Sequence, residues 1–184
     1  MEDLTNRIAE AEEFERAHAT EIAKNRCTID EHGKIVGRSL PKHQIVLLET
    51  AKKWLSAKNY EKAEDYFIRA GDLEDAARRF EEEGDLNRAR KFWSLAGKNP
   101  TGYQDEFQET SGDCFLKAGE IYSAINSYAD AIYSYILSDG SRDSHGDDRP
   151  GIENALSLLN KVWKIKRAED ARLLEVRRKY WQKE

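Results

Sequence analysis

The chain has 184 residues, of which 39% are hydrophobic and 35% charged, with three Pro, two Cys and a net charge of −5. That balance suits a soluble helical protein with thin, one-sided apolar stripes and argues against a thick globular core. No apolar run reaches the ~18 residues that a bilayer span needs, and the charged first segment, MEDLTNRIAEAEEFE, lacks the apolar centre of a signal peptide. Cys27 and Cys114 stand in unrelated contexts, and the expectation is two reduced thiols in a cytoplasmic setting.

Residues 3–24 read as an amphipathic helix, with Leu4, Ile8, Ala11, Phe14, Ala17 or His18, and Ile22 recurring at three- and four-residue steps. The segment 26–40 follows. Its β-branched residues Thr28, Ile29, Ile35 and Val36 flank Asp30-Glu31-His32-Gly33, which allows a small β-hairpin near 27–37 or an irregular loop. Such a hairpin is marginal alone and would have to pack on the helices. A helix begins near Ser39 and Pro41 and runs to about Ala57.

Three thirteen-residue units then align without a gap: NYEKAEDYFIRAG, DLEDAARRFEEEG and DLNRARKFWSLAG. Their apolar columns are Tyr60/Leu73/Leu86, Ala63/Ala76/Ala89 and Phe67/Phe80/Trp93, with Ala70, Glu83 and Ala96 in a fourth. A helix gathers these columns into a narrow stripe, and Glu83 is expected at its exposed edge. Asn59, Asp72 and Asp85 are expected to cap each helix, and Gly71, Gly84 and Gly97 to end it. A fixed period of this kind marks a repeat architecture.

After a break at 98–102, one helix is expected over 103–116. A second then restores the columns as Ile121, Ala124, Tyr128 and Ala131. Residues 138–151 read as a flexible polar loop, rich in Gly, Ser and Asp. Residues 152–184 are helical, with Leu156, Leu159, Val162 or Trp163, Leu174 and Tyr180 at helical steps, as one helix or two that break near Arg167. This last stretch is basic: residues 161–184 hold nine Lys/Arg against four acids, a balance of +5, which leaves −10 for the remainder.

Residues 45–71 resemble one tetratricopeptide (TPR) repeat. Leu47, Ala51 and Trp54 stand at the first-helix steps, and Asn59, Tyr60, Ala63, Phe67 and Ala70 at those of the turn and second helix. Residues 107–131 match again through Phe107, Gly112, Phe115, Ile121, Ala124, Tyr128 and Ala131. The flavour is that of the irregular repeats in SNAP-type adaptors and vesicle-coat solenoids. The resemblance implies an all-α, short right-handed superhelix of antiparallel helices over 41–137, after an N-terminal helix (1–25) and before a C-terminal basic cap (152–184). The thirteen-residue unit then reads as the second-helix half of a TPR-like unit. Two departures stand out: the units at 72–97 are short, and the proline that often ends a TPR unit is missing. The steps that clamp acidic peptide tails in some TPR proteins carry Leu48 and Lys52, then Glu109 and Asp113, so only Lys52 fits that use.

Chemistry finds little support. The histidines His18, His32, His43 and His145 lie in separate segments, without metal-ligand spacing on one helix face. Asp139, Asp143, His145, Asp147 and Asp148 lack the spacing of a calcium loop, no glycine loop precedes a Lys-Ser/Thr pair, and Cys114 reads as a packing residue. The expectation is therefore no enzyme, no catalytic or metal residue and no cofactor. The function expected from the resemblance is an adaptor that binds another protein or peptide, with Lys52, Glu109, Asp113, Arg177, Arg178, Tyr180 and Trp181 as candidate contacts. The alternative is a nucleic-acid-associated regulator using the basic C-terminal helix. An apolar stripe on that terminal helix could equally cap its own chain or bind a second copy, making a homodimer.

Overall fold

A computed structural model describes residues 2–24, 27–37, 41–100, 104–138 and 151–181. The chain divides into two compact units, Met1–Asn99 and Pro100–Glu184, so the division falls inside the stretch expected as one repeat domain.

The first unit holds α1 (Glu2–Ala17), α2 (Ala19–Lys24), β1 (Thr28–Ile29), β2 (Ile35–Val36), α3 (Pro41–Ser56), α4 (Tyr60–Ala70), α5 (Leu73–Glu82) and α6 (Leu86–Lys98). The expected first helix is interrupted at His18, whose Nδ1 lies 3.0 Å from the carbonyl oxygen of Phe14 and whose ring stacks on that of Phe14. The hairpin forms, with Thr28 paired to Val36 and Ile29 to Ile35. It packs on a helix end as its marginal length requires. The amide of Ile35 donates to Asn99 Oδ1 at 2.7 Å, and Asn99 Nδ2 donates to the carbonyl oxygen of Gly33 at 2.7 Å. Ser39 lies outside the described residues, and α3 begins at Pro41.

Asn59, Asp72 and Asp85 cap α4, α5 and α6 through hydrogen bonds from the amides of Lys62, Asp75 and Arg88. The bonds from the Arg88 side chain and amide hold the Asp85 carboxyl below its ordinary range. Gly71 and Gly84 take positive φ and end their helices as expected. Gly97 does not. It lies buried inside α6, which continues to Lys98 because Asn99 caps it: the Asn99 side chain satisfies the carbonyl of Leu95.

The pairing of helices revises the reading of the thirteen-residue unit. α3 packs on α4 and α5 packs on α6, so two of the three units face one another as the arms of a single hairpin. One short motif thus serves as a first helix in α5 and as a second helix in α6. Buried positions repeat at fixed offsets: Ala51, Ala63, Phe67 and Ala70 in α3–α4, then Ala77, Ala89, Trp93 and Ala96 in α5–α6. The small residues let the helix axes approach, and the rings fill what remains. Phe67, Phe80 and Phe92 meet at centroid distances of 5.4–6.3 Å, joining α4, α5 and α6.

The second unit holds α7 (Gln104–Ala118), α8 (Ile121–Ser138) and α9 (Gly151–Trp181). Tyr103, the expected first residue of α7, and residues 139–150 of the expected polar loop lie outside the described residues. The α7–α8 hairpin repeats the buried offsets as Gly112, Ala124, Tyr128 and Ala131. α9 is one helix, unbroken at Arg167, and it packs on α8. Its inward face is Ala155, Leu158, Val162 and Ile165, whereas Leu156, Leu159 and Leu174 of the apolar stripe are exposed.

Candidate interaction surfaces

Among the described residues, no group of three His, Cys, Asp or Glu side chains comes together to hold a metal ion. His43 is buried, and its Nδ1 donates to the carbonyl of Glu21 at 3.1 Å, tying α2 to α3. Both cysteines are buried, and burial pushes the Cys27 thiol up. No helix is long and apolar enough to cross a membrane among the described residues.

The strongest polar cluster of the first unit surrounds Glu15 on α1. Its carboxylate accepts from Trp54 Nε1 at 2.9 Å, Lys62 Nζ at 3.1 Å and Tyr66 Oη at 2.7 Å. Burial pulls the carboxyl up, but the bonds from Tyr66 and Lys62 more than offset it and leave the group below its ordinary value. Every donor is on α3 or α4, so this cluster fastens α1 to the hairpin. A second network joins α6 to α4, where Arg88 Nε and Lys91 Nζ both bind Glu64. Both clusters hold helices together.

The candidate contacts divide by position. Lys52 on α3 is half-buried and paired with Glu49 at 2.7 Å, two turns after Ile45, which is 64% exposed. Glu109 accepts from Tyr135 Oη at 3.2 Å, and Asp113 accepts from both Tyr128 Oη and Lys161 Nζ. These two carboxylates are therefore engaged within their own unit, with Asp113 linking α7 to α8 and α9. Lys161 also lies 4.6 Å from the centre of the Tyr128 ring. Arg177 and Arg178 are exposed on the last turns of α9, and the side chains of Tyr180 and Trp181 lie outside the described residues.

The residues that sequence reading passed over are on the outer side of α8. Tyr122, Asn126, Ala129, Tyr133 and Ile136 are all exposed, at steps of four, three, four and three residues. At 100° per residue they fall within an arc of about 80°, opposite the buried Ala124, Tyr128 and Ala131. Tyr122 is 72% exposed, Tyr133 64% and Ile136 55%. The signal was present as apolar residues on both sides of one helix, but the repeat columns accounted for only one side. Aromatic side chains on a fixed helix face present large contact area at little entropic cost. No family model, curated protein or solved structure matches this chain in comparisons with known proteins.

Proposed function

We propose that this chain is a non-enzymatic interaction scaffold of TPR-like helical hairpins that binds a partner protein or peptide, with the outer stripe of α8 as the contact surface. The observation that carries this reading is the exposure of Tyr122, Tyr133 and Ile136 on a helix whose opposite face already supplies the packing of its unit. Folding has no use for that second face, and aligned aromatics on a soluble surface mark contact sites. The repeated buried offsets of the three hairpins support a TPR-like reading of each hairpin. The acidic block of Glu169, Asp170 and Glu175 interrupts the basic residues of α9, which gives the nucleic-acid alternative no specific support.

The test is affinity capture from the native host with the full chain and with a Tyr122→Asp/Tyr133→Asp variant of unchanged helicity. The expected outcome is a protein set retained by the first and lost by the second. The same set on both, or none on either, refutes the reading.

A further inference from the structure

The face of α9 turned away from α8 carries a pattern that the packing of its unit does not use. Leu156, Trp163, Arg167, Asp170 and Leu174 are all exposed, and at 100° per residue they fall within an arc of about 60°. Two hollows border the stripe. Leu156, Leu159 and Trp163 line one, and Asp170, Leu173 and Leu174 line the other. Arg167 stands between them and Asp170 at the edge of the second, and neither has an ion-pair partner among the described residues. The Arg167 guanidinium rests 5.2 Å from the centre of the Trp163 ring.

The charges along α9 come in blocks. Its first turns hold Glu153 and no base. Lys161, which binds Asp113, with Lys164, Lys166 and Arg167 makes a basic block; Glu169, Asp170 and Glu175, with Arg172 paired to Glu169, make a net acidic one; Arg177, Arg178 and Lys179 make a second basic one. A helix with this order is complementary to itself when reversed. With a twofold axis between Ala168 and Glu169, Arg167 of each copy faces Asp170 of the other, and Trp163 faces Leu174. The first basic block then lies along the acidic block, and the second lies along the first turns, where no base opposes it. A parallel pairing would set every block against its like.

We propose that the exposed face of α9 is the interface of a homodimer, in which two α9 helices pack antiparallel about that axis. The interface is isologous, so each contact occurs twice, as a closed dimer requires. About 26 residues of each helix overlap in this register, a seam of roughly 40 Å. Asp170 in the middle of the stripe argues against insertion of the same face into a bilayer, where a lone carboxylate is costly. It suits a partner that brings an arginine to that point. The inference does not rest on the α8 stripe and stands or falls separately from it.

Analytical ultracentrifugation of the full chain tests it. The wild type is expected to sediment at twice the 21.2 kDa of one chain. Arg167→Asp and Asp170→Arg each set like charges against one another at two symmetric points, and each is expected to weaken association about tenfold or more. An equimolar mixture of the two single variants restores both attractive pairs and is expected to give a heterodimer. The Arg167→Asp/Asp170→Arg double variant is expected to dimerise alone. Both positions are exposed, and far-UV circular dichroism checks that helicity is unchanged. A wild type that stays monomeric overturns the proposal, as does a dimer indifferent to both single variants or a mixture that fails to associate. Binding of the monomer to anionic phospholipid vesicles without self-association also overturns it.

Discussion

The ring of Tyr128 lies directly against the backbone of Gly112, so that a Cβ at Gly112 would fall 2.6 Å from Tyr128 Cε1 and 2.7 Å from Cδ1. The corresponding positions of the other two hairpins hold alanine, at Ala51 and Ala77. In α7–α8 the hydroxyl of that ring donates to Asp113, the residue after Gly112. Helix propensity alone would make Gly112→Ala stabilising by about 1 kcal/mol. The steric conflict decides the sign the other way, and a net loss of about 1–3 kcal/mol is expected from urea unfolding. A gain in stability would show that the ring does not lie where it is placed here.

The same tyrosine shares a chemical setting with Tyr66. Burial and the neighbouring carboxylate, Asp113 for Tyr128 and Glu15 for Tyr66, push both phenols far above the ordinary value of 10.0. A folded-state pKa raised above the unfolded one contributes stability that is complete below the unfolded pKa and is lost as pH climbs beyond it. Stability is therefore expected to decline above about pH 10, with two of the eight tyrosines ionising only as the helices open. Phenolate absorbance followed against circular dichroism reads this, and Tyr66→Phe and Tyr128→Phe should each remove one late phenolate.

Leu73 and Leu86 occupy the same column of the thirteen-residue unit and meet opposite fates, at 4% and 58% exposure. Leu73→Ala is expected to cost about 2–5 kcal/mol. Leu86→Ala is expected to stay within about 0.5 kcal/mol. Equal losses in denaturant unfolding would mean that the column is used alike in both helices.

That contrast shows what periodicity can and cannot carry. Helix positions, the Asn59, Asp72 and Asp85 caps and the small-then-aromatic columns follow from local chemistry and are legible in the chain. Which helix lies over a given face depends on tertiary pairing, and the spacing of one helix does not encode it. Tyr66, Ala77 and Phe92 are buried although they lie outside the columns, because α4, α5 and α6 each meet neighbours on more than one side. On α9 the inward and outward faces are both apolar, so the choice of Leu158 over Leu159 needed the position of α8. Asp113 was picked out at a peptide-clamp step, yet its partners Tyr128 and Lys161 come from helices 15 and 48 residues away.

Glu15 gives the last expected outcome, because its three donors come from two helices other than its own. The side chain is 31% exposed, and its carboxyl sits below the ordinary 4.5 because the bonds from Tyr66 and Lys62 outweigh the effect of burial. A depressed folded-state pKa contributes stability that is present above the unfolded value and lost as pH falls through the folded one. Wild type should therefore exceed Glu15→Gln in stability near neutral pH, and the gap should narrow as pH falls below about 4.5. The glutamine keeps the shape and one acceptor oxygen, so the comparison isolates the charge. Denaturant midpoints measured across that range read the gap directly. Hydrogen exchange of α1 amides should rise in the variant before that of α3 and α4, since the carboxylate fastens the first helix to a hairpin that is otherwise packed. A gap that persists unchanged to about pH 3 would show that the carboxylate's charge does not hold α1 in place.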